Sequence, residues 1–247
     1  MRGFVTIYRR ELMGLFLTPL AWILLCATLL YNGMYFLYYL EASGGNLNLA
    51  LSSIYSEQFW LLAIFLPPLL TMRMISEETQ NGILEFLLTA PVSDQSVIAG
   101  KMLAATSFMA LAFGSGFLFA GLCALLGGEP DWGTLFTGWL GTVMVSALFC
   151  AVGLVSSALC NTPILAAFLS ILSNILLLIL PMLGSQVGGA LREPVAWVVN
   201  KLHLSAHFNE SFPKGALDSS HVIFFLAWIL ALLFLAVRLV ESRRWRG

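Results

Sequence analysis

An all-α, polytopic membrane protein with six transmembrane helices is the fold class this sequence predicts, and three observations predict it. Only 10% of the 247 residues are charged and 59% are hydrophobic, whereas a soluble domain carries about 25% charged residues. Six apolar runs each reach the roughly 20 residues a bilayer requires. The charged residues gather between those runs, and none falls in the central part of a span.

The elements follow in order. Residues 2–17 set Phe4, Tyr8, Leu12 and Leu15 on a helical stripe beside Arg9, Arg10 and Glu11. This pattern predicts an amphipathic helix lying at the membrane surface, its arginines towards anionic headgroups. The next apolar run is too long for a signal peptide and lacks a small-residue cleavage site. Thr18-Pro19 supplies an N-cap and a first-turn proline for a first span reaching about Leu40. Glu41 to Tyr55 reads as a polar loop. The second span, about Ser56 to Met74, contains Pro67-Pro68, which removes two backbone donors and predicts a kink or break.

Residues 73–101 must lie in water, because Glu77, Glu78, Glu85 and Asp94 stand between Arg73 and Lys101. Yet Ile83 to Leu88 is a short apolar helix candidate, opened by Asn81-Gly82 and ended by Pro91. From the residues alone two readings stay open: a helix that fills a partner's groove, or one lying on lipid.

Ser93 or Asp94 caps a third span of about Gln95 to Leu126, in which Ala112, Gly116, Ala120 and Ala124 form a small-residue stripe for helix packing. The fourth span, about Trp132 to Leu159, carries a second stripe at Thr142, Ser146 and Cys150. Asn161-Thr162-Pro163 opens a fifth span to about Leu183. Residues 184–220 leave the membrane but keep apolar stretches, which predicts one or two short re-entrant helices. The last span is about His221 to Val240. Arg2, Arg9, Arg10, Arg73, Lys101, Arg238, Arg243, Arg244 and Arg246 fall on the side of the termini, against Arg192, Lys201 and Lys214 opposite. The positive-inside rule therefore makes both termini and the 73–101 segment cytoplasmic and the 184–220 segment external. The whole chain reads as one transmembrane domain, 1–247, with Cys26, Cys123, Cys150 and Cys160 as buried free thiols.

Several chemistries are excluded or disfavoured. A net charge of -1 offers no basic field for nucleic acid. A proton-driven transporter is expected to show an ionisable residue within a span, and none is present, so energy for transport must come from outside the chain. Gly100-Lys101 looks like the end of a phosphate loop, but Gln95 replaces the earlier glycine and Met102 the Ser/Thr. Glu77-Glu78 lacks the partners of an intramembrane metalloprotease. His203 and His207 are four apart without a third ligand, so no metal site is expected. Asn209-Glu210-Ser211 is a formal glycosylation sequon. Ser115 in Gly-Ser-Gly has no histidine partner in the membrane and reads as a packing residue.

The run Ile75-Ser76-Glu77-Glu78, then Gly82-Ile83-Leu84-Glu85-Phe86-Leu87-Leu88-Thr89-Ala90-Pro91-Val92-Ser93, then Gly100-Lys101, resembles the cytoplasmic signature of type-2 ABC transporter permeases. The subgroup it is similar to is the gliding-motility (GldF-like) permeases. Leu204-Ser205-Ala206-His207-Phe208 and Lys214-Gly215-Ala216-Leu217-Asp218 resemble that subgroup's external motif. One departure is Gln80-Asn81, where family members often carry Arg or Lys.

The resemblance implies a permease subunit of an ATP-driven exporter in the bacterial cytoplasmic (inner) membrane. It implies two permeases, this chain with a second copy or a paralogue, working with two separate ABC ATPase subunits. An external accessory protein is a further partner. The chain itself would be no enzyme and hold no cofactor, with ATP and Mg in the partner ATPase. Segment 73–101 would be a coupling helix, and the N-terminal interfacial helix would brace the same ATPase. Glu77, Glu78 and Glu85 would pair with ATPase cations, Gly82 would turn the chain, and Leu88 would fill the groove. Thr89 would join that contact and Pro91 would stop the helix. A membrane anchor or assembly subunit that transports nothing is the alternative the residues also allow.

Overall fold

The computed structural model describes residues 2–56, 58–82, 93–185 and 203–244, and their regular structure is helical. The helices are α1 (Arg2–Leu17), α2 (Pro19–Ala42), α3 (Leu47–Ile54), α4 (Phe59–Thr71), α5 (Ser76–Gln80), α6 (Asp94–Phe113), α7 (Ser115–Leu125), α8 (Trp132–Leu159), α9 (Pro163–Ser185), α10 (Leu204–Ser211) and, after a 3₁₀ turn at Phe212–Lys214, α11 (Ser219–Arg244). Six stretches are long and apolar enough to cross a membrane: Pro19–Ala42, Leu47–Gln80, Asp94–Leu125, Trp132–Leu159, Pro163–Leu180 and Ser219–Ser242. The chain is a multi-pass membrane protein.

Helix starts follow from local chemistry. Asn46 caps α3 by accepting from the Leu49 N–H at 3.3 Å, Ser93 caps α6 through the Ser96 N–H, and Asp131 caps α8 through the Gly133 and Thr134 N–H groups. Each side chain satisfies a donor that the first helical turn leaves without a partner. Thr18 departs from expectation. It precedes Pro19 but makes no side-chain cap, and its hydroxyl donates back to the Leu15 carbonyl at 2.7 Å.

Four further expectations are corrected. The expected polar loop after α2 contains α3, because Leu47, Ala50, Leu51 and Ile54 recur on one helical face and are drawn against the bundle. Pro67-Pro68 does not break α4, which runs through both prolines. Pro68 has no N–H for the Ile64 carbonyl, and the Asn174 side-chain amide on α9 donates to that oxygen instead, at 3.4 Å. The third span is not one helix but two, divided at Gly114. There the Phe117 N–H bonds the Gly114 carbonyl, and the freed Phe113 carbonyl accepts from the Tyr55 hydroxyl at 3.0 Å. Among the cysteines, only Cys150 is buried; Cys26 is exposed and Cys123 and Cys160 are intermediate.

The bundle is organised round α8, the most buried span. Its surface is small on several sides, so neighbours approach closely without a hydrophobic force between helices in lipid. A Cβ at Gly141 would overlap Phe212, and one at Gly153 would overlap the Thr71 hydroxyl. Tyr55 sits between Gly138 of α8 and Gly116 of α7, where a Cβ at Gly116 would overlap its hydroxyl. Thr142, Ser146 and Cys150 are buried on α8. On the stripe of the third span Ala112, Gly116 and Ala120 are buried, while Ala124 is exposed on the chain's surface.

At the end of the bundle away from α1, α10 and the 3₁₀ turn drive Phe208 and Phe212 inward, both fully buried. Phe208 stacks on Phe59 and meets Trp60 edge-on, and Phe212 meets Phe225, so the second and last spans share one aromatic plug. The His207 ring meets His221 at the start of α11, with 2.8 Å between the two Nδ1 atoms, while the His207 backbone N–H donates to the His203 carbonyl. The apolar stretch around Trp197 lies outside the described residues.

Candidate functional site at the charged end of the bundle

The other end of the bundle gathers α1, α5 and the start of α6. The approach of α1 to α6 is set by a glycine. A Cβ at Gly100 would stand 2.9 Å from Ile7 Cγ2 and 3.3 Å from the Tyr8 nitrogen. The Tyr8 hydroxyl then meets the Ser107 hydroxyl, two turns further along α6, at 3.1 Å.

The next residue, Lys101, has no exposed side-chain surface, yet its ammonium lies within reach of two carboxylates. Nζ donates to Glu78 Oε1 at 2.8 Å and to Glu11 Oε1 at 3.2 Å. Arg10 closes the group, with Nη2 2.6 Å from Glu11 Oε1 and 3.3 Å from Glu78 Oε1. Two acids and two bases are neutral together. That allows burial of a charge which would be prohibitively costly alone. The hydrogen bond to Glu11 holds the Arg10 guanidinium above its ordinary value. Glu78 Oε2 is buried and has no hydrogen-bond partner among the described residues.

The start of α5 is fixed from α8. The Ser157 hydroxyl accepts from the Ile75 and Ser76 N–H groups at 3.1 and 2.9 Å and donates to the Met72 carbonyl at 3.0 Å. The turn between α4 and α5 thus rides on the central helix, and Glu78 at its far side rides on α1 and α6.

Segment 83–92, with Glu85, Leu88, Thr89 and Pro91, lies outside the described residues. Both of its mounts are described. On one side Glu78 is followed by Gly82 in the left-handed region at φ +70°, which favours glycine. On the other side Lys101 follows the Ser93 cap by two turns. Glu77 is half exposed and reaches Arg73 only at 4.0 Å. Glu78 is engaged through Oε1 with this chain's own Lys101 and Arg10. Arg10, Glu11, Gly100 and Lys101 stood out in the sequence only separately, as charges of the first helix and as a failed phosphate loop, and not as one group; Ser157 was not singled out. Opposite charges at span boundaries of a nearly uncharged chain were the signal available for four of them or their neighbours; nothing marked Ser157.

Among the described residues no three His, Cys, Asp or Glu side chains gather as a metal ion would need. The Ser115 hydroxyl accepts from the Asn32 amide at 2.9 Å, a helix-to-helix bond between α2 and α7. Charged side chains of the described spans stand near their ends. The arrangement ties the described flanks of residues 83–92 to α1, α6 and α8 together.

A family model described as ABC-2 family transporter protein matches residues 11–188, well over half of the chain. No curated protein matches it.

Proposed function

The chain belongs to the ABC-2 transporter family, whose membrane subunits pair with an ABC ATPase, and from that premise we propose an exporter permease driven by two separate ATPase subunits. This chain pairs with a second copy or a paralogue, hydrolyses no ATP itself, and leaves ATP and Mg to its partner. It lies in the bacterial cytoplasmic membrane with both termini cytoplasmic. On this reading α1 is the interfacial helix, segment 73–101 the coupling segment, and α10 with its 3₁₀ turn part of an external re-entrant cap. The gliding-motility subgroup is the branch we infer from the two sequence motifs.

The observation that carries the proposal is the two-sided mount of segment 83–92. A segment held on one flank by Glu78, tied to Arg10 of α1, and on the other by Lys101, tied to Glu11 of α1, passes a push from outside directly into the spans. Glu77 stays exposed for an ATPase cation, while Glu78 braces the mount. Glu85→Arg tests this. The substitution reverses one charge on the water-facing segment and leaves the spans alone. Full membrane insertion with strongly reduced recovery of the ATPase is expected. Recovery of the ATPase at wild-type yield would show that the docking surface lies elsewhere.

A further inference from the structure

Beside the charge cluster lies a cleft of about 340 Å³, bounded by α1, the base of α2, the end of α4 and α5. Its volume falls within the roughly 300–1,000 Å³ of small-molecule pockets. Its two halves differ in chemistry. Leu15, Leu20, Leu69 and Leu70 make an apolar wall, and Arg73, Glu77 and Glu78 line the polar side. The guanidinium of Arg73 and the carboxylate of Glu77 are each about half exposed and meet only at 4.0 Å, the loosest ion pair of this end. An anion and a cation held apart at the mouth of an apolar wall match a head that carries both charges. Gly14 also lines the cleft, and open space stands where its Cβ would be. Leu17, one turn beyond Gly14 on the same helix, is 84% exposed at the chain's surface.

We propose that this cleft binds a zwitterionic phospholipid with a primary amine head, taken from the membrane leaflet at the charged end. The phosphate sits on Arg73 and the ammonium donates to one carboxylate oxygen of Glu77, which leaves the other for the ATPase. The upper part of an acyl chain follows the leucine wall, and the rest runs into the bilayer. A choline head fits less well, because it has no N–H to donate to a carboxylate. The inference rests on reading α1 as an interfacial helix, and it holds whether or not the chain couples to an ATPase.

The test uses the full chain, alone and with its co-expressed ATPase, stripped of lipid in detergent and titrated with phosphatidylethanolamine or phosphatidylcholine. Native mass spectrometry counts the bound lipid. One phosphatidylethanolamine per chain is expected, with phosphatidylcholine about tenfold weaker, the loss typical of one charge-assisted hydrogen bond. Gly14→Leu fills the cleft on a helix that tolerates leucine well. It should abolish that retention with the unfolding temperature unchanged. Equal retention of the two lipids, or undiminished binding by a folded Gly14→Leu, overturns the proposal. In vesicles holding the complex, loss of the bound lipid on adding ATP identifies it as cargo. Unchanged occupancy identifies it as a resident lipid, and either result supports the site. Binding by the chain alone, without recovery of any ATPase, supports the lipid site while counting against the transporter reading, so the two can fail separately.

Discussion

Lys101 is the residue on which the charged end turns. Its ammonium is fully buried between Glu11 and Glu78, and that geometry makes its removal costly. Lys101→Met would leave the two carboxylates with only the half-exposed Arg10 between them. Breaking a buried ion pair from one side costs about 3–5 kcal/mol. The two glutamates keep 15–16% of their side-chain surface exposed, which places the expected loss at the lower end. Thermal unfolding of the purified chain should register it, and Glu78→Gln added to Lys101→Met should recover part of it, since residues in one network are not additive. An unchanged unfolding temperature would show the cluster to be a surface arrangement of little weight. Gly100 is the companion residue. The sequence displayed both as a failed phosphate loop, and only packing reveals why they stand together: glycine admits Ile7, and lysine meets Glu11 one helical turn further along α1.

At the scale of the element, α4 shows how a helix survives two adjacent prolines. The carbonyl of Ile64 loses its partner to Pro68 and gains the Asn174 amide. Asn174→Leu should destabilise the bundle by about 0.6–2 kcal/mol, the span of measured hydrogen bonds between membrane helices. In a Pro68→Ala background the backbone donor returns, and the same substitution should cost clearly less. Equal costs in both backgrounds would mean that the amide does not serve that carbonyl. The sequence announced the prolines but not their remedy, because Asn174 lies far along the chain and nothing local marks it. The division of the third span at Gly114 was closer to hand. Gly114-Ser115-Gly116 is visible in the sequence, yet hydropathy is continuous across it, and the Tyr55 and Asn32 side chains that stabilise the break come from other elements. α3 was hidden for the opposite reason: Ser, Asn and Gly around it outweighed a four-residue apolar face.

For the molecule as a whole, the class and the six spans were legible, because a bilayer demands apolar length and excludes charge regardless of packing. The order of spans follows from the same pattern, and the family match covers residues 11–188. The charge cluster flanking residues 83–92 was not legible, since its four charges come from three helices and sequence separation conceals their meeting. Of the expected coupling residues, Glu77, Glu78 and Gly82 can be placed, and Glu85, Leu88, Thr89 and Pro91 lie outside the described residues. On the proposed function, force enters from a partner at this end of the bundle. The most direct test is the mass of the native complex after tagging this chain and expressing it with its genomic neighbours. Two permease chains with two ATPase subunits, lost on Glu85→Arg, is the predicted result. Recovery of the chain without any ATPase, with the neighbours verified as expressed, would contradict it and leave a membrane anchor as the better reading.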